Sequence, residues 1–220
     1  MHHIVDRGQG PNYNGRRYVR NGQTLWRKEA GVFGSLFKRK RRRDPAADAS
    51  SLVDSIKDAR VGDVFTIEGL AAEYDDSYLI VEKLNRYESA SGEWYELLGV
   101  DGDKRLWVQW SNGGGLFVTA NVEAPGMGLT QLGITEQQLV KMDEEHSIDN
   151  YITYEGVRYQ YRNSSEALYY QDDRGAGEGY YLWEFAGEDK VMSVDKWEGT
   201  PFQAYISDVV PSDSITLYKS

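Results

Sequence analysis

The sequence predicts a mainly β fold: two tandem, related antiparallel β units of small-barrel or meander type, joined by one helix and preceded by a basic N-terminal tail. Three observations predict it. The chain holds 6 Trp and 16 Tyr among its 220 residues, and aromatic side chains suit pleated surfaces better than helices. Short runs of period-two alternation recur between Gly-, Asn- and Asp-rich turns. A stretch near residue 65 is echoed near residue 152.

The first unit spans residues 51–128. Ser51 can cap a short helix that buries Leu52, Val53 and Ile56. After the turn at Gly62-Asp63, extended runs are predicted over 64–68, 78–84, 93–100, 106–110 and 116–120. The fourth is the clearest, because Leu106, Val108 and Trp110 alternate with Trp107 and Gln109. Asp101-Gly102-Asp103 and Asn112-Gly113-Gly114-Gly115 supply turns. Pro125-Gly126-Met127-Gly128 ends the unit.

Residues 129–150 form the linking helix and a joint. Thr135 and Gln138 make a capping box, Ile134 and Leu139 a hydrophobic staple, and Glu136 favours the positive helix end. Leu139, Met142 and His146 follow at helical spacing. The second unit covers 151–220. Phe65-Thr66-Ile67-Glu68-Gly69 matches Ile152-Thr153-Tyr154-Glu155-Gly156 at an offset of 87. The same offset pairs Tyr74 with Tyr161, Gly92 with Gly179, Trp94 with Tyr181 and Trp110 with Trp197. Each unit alone is small for a stable core, so packing one on the other is expected.

Charge divides the chain. Residues 1–45 carry 12 Lys and Arg against 3 Asp and Glu, whereas the rest carries 13 against 32. The acidic body disfavours nucleic acid as a partner. Residues 1–31 are polar and aperiodic and read as a non-native or disordered extension, with translation starting at Val32. Residues 32–50 are a basic tail and linker. Within it Phe33, Leu36 and Phe37 precede Lys38, Arg39, Lys40, Arg41, Arg42 and Arg43, a run suited to an anionic membrane surface or an acidic protein. The chain has no cysteine, which excludes disulfides and thiol chemistry. With no apolar run of membrane length and no signal-peptide pattern, the expected location is cytoplasmic, with peripheral contact at the inner membrane face.

Candidate chemistry is sparse. Asp143, His146 and Asp149 are weak candidate metal ligands at the joint, set against helix-end acids that are solvated and a histidine that packs at the seam. Glu93, Glu96, Glu184 and Asp195 lie in aromatic strands, where a hydrolytic carboxylate pair competes with carboxylates that simply alternate outward to solvent. Ser147 beside His146 is not a triad, and the Gly-rich turn at 112–115 lacks the Lys of a phosphate loop. Most of the Trp and Tyr set belongs to the core. Trp107 and Trp183 are the best candidates for an exposed aromatic partner surface.

The Gly62-Asp63 opening, Glu93-Trp94-Tyr95-Glu96-Leu97-Leu98, Leu106-Trp107-Val108-Gln109-Trp110 and Lys196-Trp197-Glu198-Gly199 resemble an uncharacterised bacterial family, domain of unknown function 4178, over about residues 60–220 and in two copies. The second half departs from the Glu-Trp-x-Glu form, reading Tyr180-Tyr181-Leu182-Trp183-Glu184. The family has no established catalytic residues, so none can be carried over to this chain, and no cofactor is expected. Its genes lie beside those for coat proteins resembling phage shock protein A and for spermidine-synthase-like proteins, which implies a membrane-stress or polyamine context. The expected function is therefore a non-catalytic accessory or interaction protein with a protein partner such as a membrane-stress coat protein. The alternative is a small-ligand-binding protein or metal-dependent enzyme with its site at 143–149.

Overall fold

The computed structural model describes residues 55–111, 113 and 115–220. The basic run Lys38 to Arg43 lies outside them, as do Leu52 and Val53 of the short helix expected after Ser51. What is described of that helix is one 3-10 turn, Ile56–Asp58, with Ile56 buried.

Among the described residues eleven strands form one antiparallel sheet. In chain order β1 is Val64–Ile67, β2 Leu79–Ser89, β3 Gly92–Asp101, β4 Lys104–Ser111 and β5 Phe117–Val122. Two helices follow, α1 Leu129–Leu132 and α2 Glu136–Glu145. Then come β6 Tyr151–Tyr154, β7 Val157–Tyr170, β8 Glu178–Ala186, β9 Lys190–Trp197, β10 Gln203–Val210 and β11 Ile215–Tyr218. Hydrogen bonding runs β2-β3-β4-β5-β10-β9-β8-β7, and β7 pairs back onto β2. Eight strands thus close into one barrel, with β1 and β11 extending the sheet beyond β2 and β6 extending it beyond β7. Each half supplies four barrel strands and neither closes by itself. The two joins are β5–β10 and β2–β7.

All five extended runs expected in the first half are strands, but β2 continues five residues past its expected end, through Asn85, Arg86, Tyr87, Glu88 and Ser89. These polar and aromatic positions remain extended because they pair with β3 on one side, and most of them with β7 on the other. Both long strands break register once, β2 between Val81 and Lys83 and β7 between Tyr161 and Asn163. Such bulges bend a strand and increase its twist, which a closed barrel requires.

The alternation in β4 sorts its side chains to two sides of the wall. Leu106, Val108 and Trp110 join an outer core with Phe65, Ile67, Leu79, Leu97 and Val118, covered by β1, β11 and Ile56. Trp107 and Gln109 face the barrel interior. On the other half, Leu132, Leu139 and Met142 of α1 and α2 cover Tyr159, Tyr161, Phe185, Met192 and Val194 in a second outer core. The expected capping box is present: Gln138 N donates to Thr135 Oγ1 at 3.3 Å, and Thr135 N donates to Gln138 Oε1 at 2.8 Å.

The offset of 87 does not survive in three dimensions along the central strands. It pairs Trp110 with Trp197, yet Trp110 packs in the first outer core against Tyr95, whereas Trp197 stacks on Tyr180 inside the barrel. It also pairs Trp94 with Tyr181, yet Trp94 lies in the inner cluster with Tyr180, whereas Tyr181 packs against the second outer core. A one-residue slip exchanges the two faces of a strand.

One turn near the start is tied to β11's exit. Asp63 is buried and accepts hydrogen bonds from Arg60 N, Ser220 N and Lys219 Nζ. Burial pushes its carboxyl up, but these donors outweigh burial and hold it below its ordinary value. Among the described residues no helix is long and apolar enough to cross a membrane.

Gly99 is dictated by the close approach of β1. A Cβ at this position would lie 2.5 Å from two ring carbons of Phe65, and Phe65 is wholly buried. Gly99→Ala is therefore expected to destabilise the protein by about 1–3 kcal/mol through overpacking. A lowered denaturant midpoint with an unchanged m-value checks this.

Candidate ligand cavity inside the barrel

Closure turns the inward faces of the strands into the walls of a cavity of about 640 Å³. Three carboxylates that the sequence placed on solvent-facing strands line it instead: Glu96 of β3, Glu184 of β8 and Asp195 of β9. Protein surrounds each of them, and each keeps some accessible surface because it faces the cavity. Glu93 does not join them. It lies outside, paired with Arg86 at 3.4 Å.

The carboxylates differ in their partners. Glu96 is held by three donors: Tyr87 Oη at 2.8 Å, Gln109 Nε2 at 2.8 Å and Asn85 Nδ2 at 3.2 Å. Burial raises its affinity for a proton, and these three hydrogen bonds oppose the rise. Glu184 has less support, and burial pushes its carboxyl up to about 7, against a hydrogen bond from Asn163. Asp195 is pushed up to about 8, first by burial and then by the charges of Glu96 and Glu184, with Ser193 opposing. Its Oδ1 is buried and has no hydrogen-bond partner.

Aromatic rings make up much of the remaining wall. Tyr87 stacks on Trp94 at 5.3 Å and Tyr180 on Trp197 at 4.4 Å, while Tyr87 and Tyr180 meet edge to face at 6.2 Å. Trp107 lines the same cavity, so it faces inward and not onto an outer surface. Trp183 is also not an exposed surface residue. It is 6% exposed, within the second outer core, 4.5 Å from the Tyr181 ring and 5.9 Å from Phe202. Its expected exposure failed because the outward face of β8 is covered, not open.

The joint is a polar seam. His146 caps α2 in a left-handed conformation and its Nδ1 lies 3.0 Å from Tyr161 Oη. Tyr161 Oη lies 2.7 Å from Ser164 Oγ, Ser164 donates to Asp143 Oδ1, and Tyr181 Oη donates to the same oxygen at 2.7 Å. Since the Ser164 proton goes to Asp143, Tyr161 donates to Ser164 and His146 Nδ1 donates to Tyr161. Asp143 and His146 are thus connected through two hydroxyls and do not converge on one point. Asp149 sits on the following turn, where its backbone N–H donates to Ser147 Oγ at 3.1 Å. Among the described residues no group of three or more His, Cys, Asp or Glu has the arrangement to hold a metal ion.

Residues 61–212 match the family described as Domain of unknown function (DUF4178). The chain belongs to the DUF4178 family. The match takes in every barrel strand and both helices, so cavity and seam alike lie within the DUF4178 region. No curated protein and no solved structure matches the chain.

The raised carboxyls make folding pH-dependent. Asp195 and Glu184 hold protons more tightly folded than unfolded, where they titrate near 3.8 and 4.5. Between those values and about 7 to 8 the folded state carries more protons, so stability falls as pH rises through this window. Denaturant midpoints are expected to decline from about pH 5 to about pH 9, and less steeply in Asp195→Asn.

Proposed function

We propose that this DUF4178 protein is a non-catalytic binding module that holds a small molecule inside its barrel. The observation that carries the reading is the cavity itself. Its volume of about 640 Å³ falls in the usual range for small-ligand sites, roughly 300–1,000 Å³. Its wall combines apolar ring faces with a few fixed polar groups, which is the composition such sites need. The accessory role expected from the sequence is kept, with the site inside the barrel and not at 143–149. The run Lys38 to Arg43 is the proposed contact for an acidic protein partner or an anionic inner membrane face, supported by its charge. We also infer that the two halves are related copies, supported by their common order of one short strand, one long bulged strand and three further barrel strands.

A second reading, acid–base catalysis by Glu184 and Asp195, is favoured by their titration near neutrality. It requires a substrate that is turned over, whereas a binding module releases its ligand unchanged.

Ser207 of β10 lines the cavity, and a larger side chain there would fill it. In native mass spectrometry after incubation with a metabolite extract, the wild type is expected to carry a small molecule and Ser207→Phe to carry none. Recovery of that molecule chemically unaltered supports binding, and its conversion supports catalysis. Equal loading of both proteins, or none of either, would overturn the assignment of the barrel as the site.

A further inference from the structure

The cavity wall carries charge of only one sign. Glu96, Glu184 and Asp195 stand inside it, and Glu123, Glu178 and Glu198 line its solvent-exposed part, whereas among the described residues no Lys, Arg or His lines it. An anionic ligand would find no cationic partner among these lining residues. A cation would gain both carboxylate pairing and the faces of Trp and Tyr rings, which attract positive charge.

The positions of the three inner carboxylates narrow the class. In the closed ring β2-β3-β4-β5-β10-β9-β8-β7, strand β3 stands four places from β9. Glu96 and Asp195 therefore project from opposite walls. Glu184 stands near Asp195 on the neighbouring strand, two pairing positions on and on the same face, where Leu182 pairs with Asp195 and Glu184 with Ser193. Carboxylates that face one another from opposite walls, near enough for the charge of Glu96 to raise Asp195, match two cationic groups better than one compact ion, in accord with the absence of a metal-holding group among the described residues. They suit an elongated ligand charged at both ends. Beside them, two residues along β3 and β9, stand Trp94 and Trp197, stacked on Tyr87 and Tyr180, which offer apolar ring faces to a hydrocarbon chain.

The two walls are also unequally prepared. Glu96 already accepts from Asn85, Tyr87 and Gln109. Asp195 Oδ1 is a buried acceptor with no donor, a state native structures seldom leave uncorrected. An ammonium group brings three donors and one charge, which is what that wall lacks.

We propose that the barrel binds an aliphatic dication, with one ammonium group at Glu96 and the other at Asp195 and Glu184. This rests on the reading of the barrel as a ligand site. The buried tyrosines do not compete for the role, because burial keeps Tyr87 and Tyr180 protonated well above neutrality. Glu184 and Asp195 hold protons near neutral pH, so the incoming ammonium displaces protons from this wall.

The test is calorimetric titration of the full chain at physiological salt with straight-chain diamines from diaminobutane to diaminooctane. The matching monoamines and dicarboxylates serve as controls. The expected result is one saturable site with an optimum chain length, and proton release at neutral pH, seen as an enthalpy that changes with the buffer. Glu96→Gln and Asp195→Asn are each expected to weaken binding by about tenfold or more, as is loss of one ammonium group. Ser207→Phe keeps the acidic surface and is expected to abolish the site, which separates it from diffuse attraction to the acidic body. If no diamine binds, or if diamines bind Glu96→Gln and Asp195→Asn as tightly as the wild type, the dication proposal is wrong. If a neutral or anionic compound then binds and Ser207→Phe blocks it, only the ligand class has failed. If nothing binds in a manner sensitive to Ser207→Phe, the barrel reading has failed with it.

Discussion

The four-residue pairing of Arg86–Ser89 with Ala167–Tyr170 closes the barrel and decides which side chains its interior receives. Without it the eight strands are an open ribbon, and Asn85, Glu96, Glu184 and Asp195 face water. With it they face each other. The seam is fastened from outside by Arg86, which donates to Asp173 at 2.6 Å and to Glu88 and Glu93 at 3.3 and 3.4 Å. The same guanidinium lies 3.9 Å from the centre of the Tyr170 ring. Glu88 also accepts from Tyr170 Oη, so one residue group binds both strands and the turn after β7. Exposed ion pairs contribute little singly. Here several converge on a half-buried cation at the one place where the sheet must meet itself.

Closure imposes an unusual distribution of polarity. The interior of many small barrels is their apolar core. Here the barrel's two large apolar clusters lie on the outside of its wall, one under β1 and β11 and the other under α1, α2 and β6. The additional strands and helices are therefore not decoration. They cover the faces that supply burial and leave the interior available for polar groups. A third cluster of Trp94, Ala167, Tyr180 and Leu182 lies within the barrel and leaves the carboxylates beside it rather than among aliphatic side chains.

Much of this architecture was legible in the residues. The strands, the Thr135–Gln138 cap and the aromatic β class follow from periodicity and side-chain chemistry, which are local. Period two also divided Trp107 and Gln109 from Leu106, Val108 and Trp110. It did not say which side would be enclosed. The ordinary expectation, polar side outward, inverted the site, because a distant strand pair decides the matter. The same ignorance affected Trp183, whose covering comes from elements remote in sequence. The repeat misled through register: aromatic residues occur on both faces of these strands, so Trp110 and Trp197 match as letters and not as positions. Glu96, Glu184 and Asp195 were visible as a set, but only the ring order brings them into one space. The donors around Glu96 had no recognisable spacing, since Asn85, Tyr87 and Gln109 reach it from two different strands.

The pairing of β1 with β11 joins residues 148 to 154 apart in sequence, and the Lys219–Asp63 contact that fixes it spans 156. During synthesis β1 must wait for that partner, and the first outer core for Val210, Ile215 and Leu217, which complete it. Long-range pairings of this kind slow folding, because the loop must close before the contacts reward it. A nascent first half is accordingly a sticky, half-clad sheet, with both edges of its ribbon open until the second half emerges. The burden of safe maturation falls on whatever shields that sheet at the ribosome, and on how fast the remaining strands are delivered.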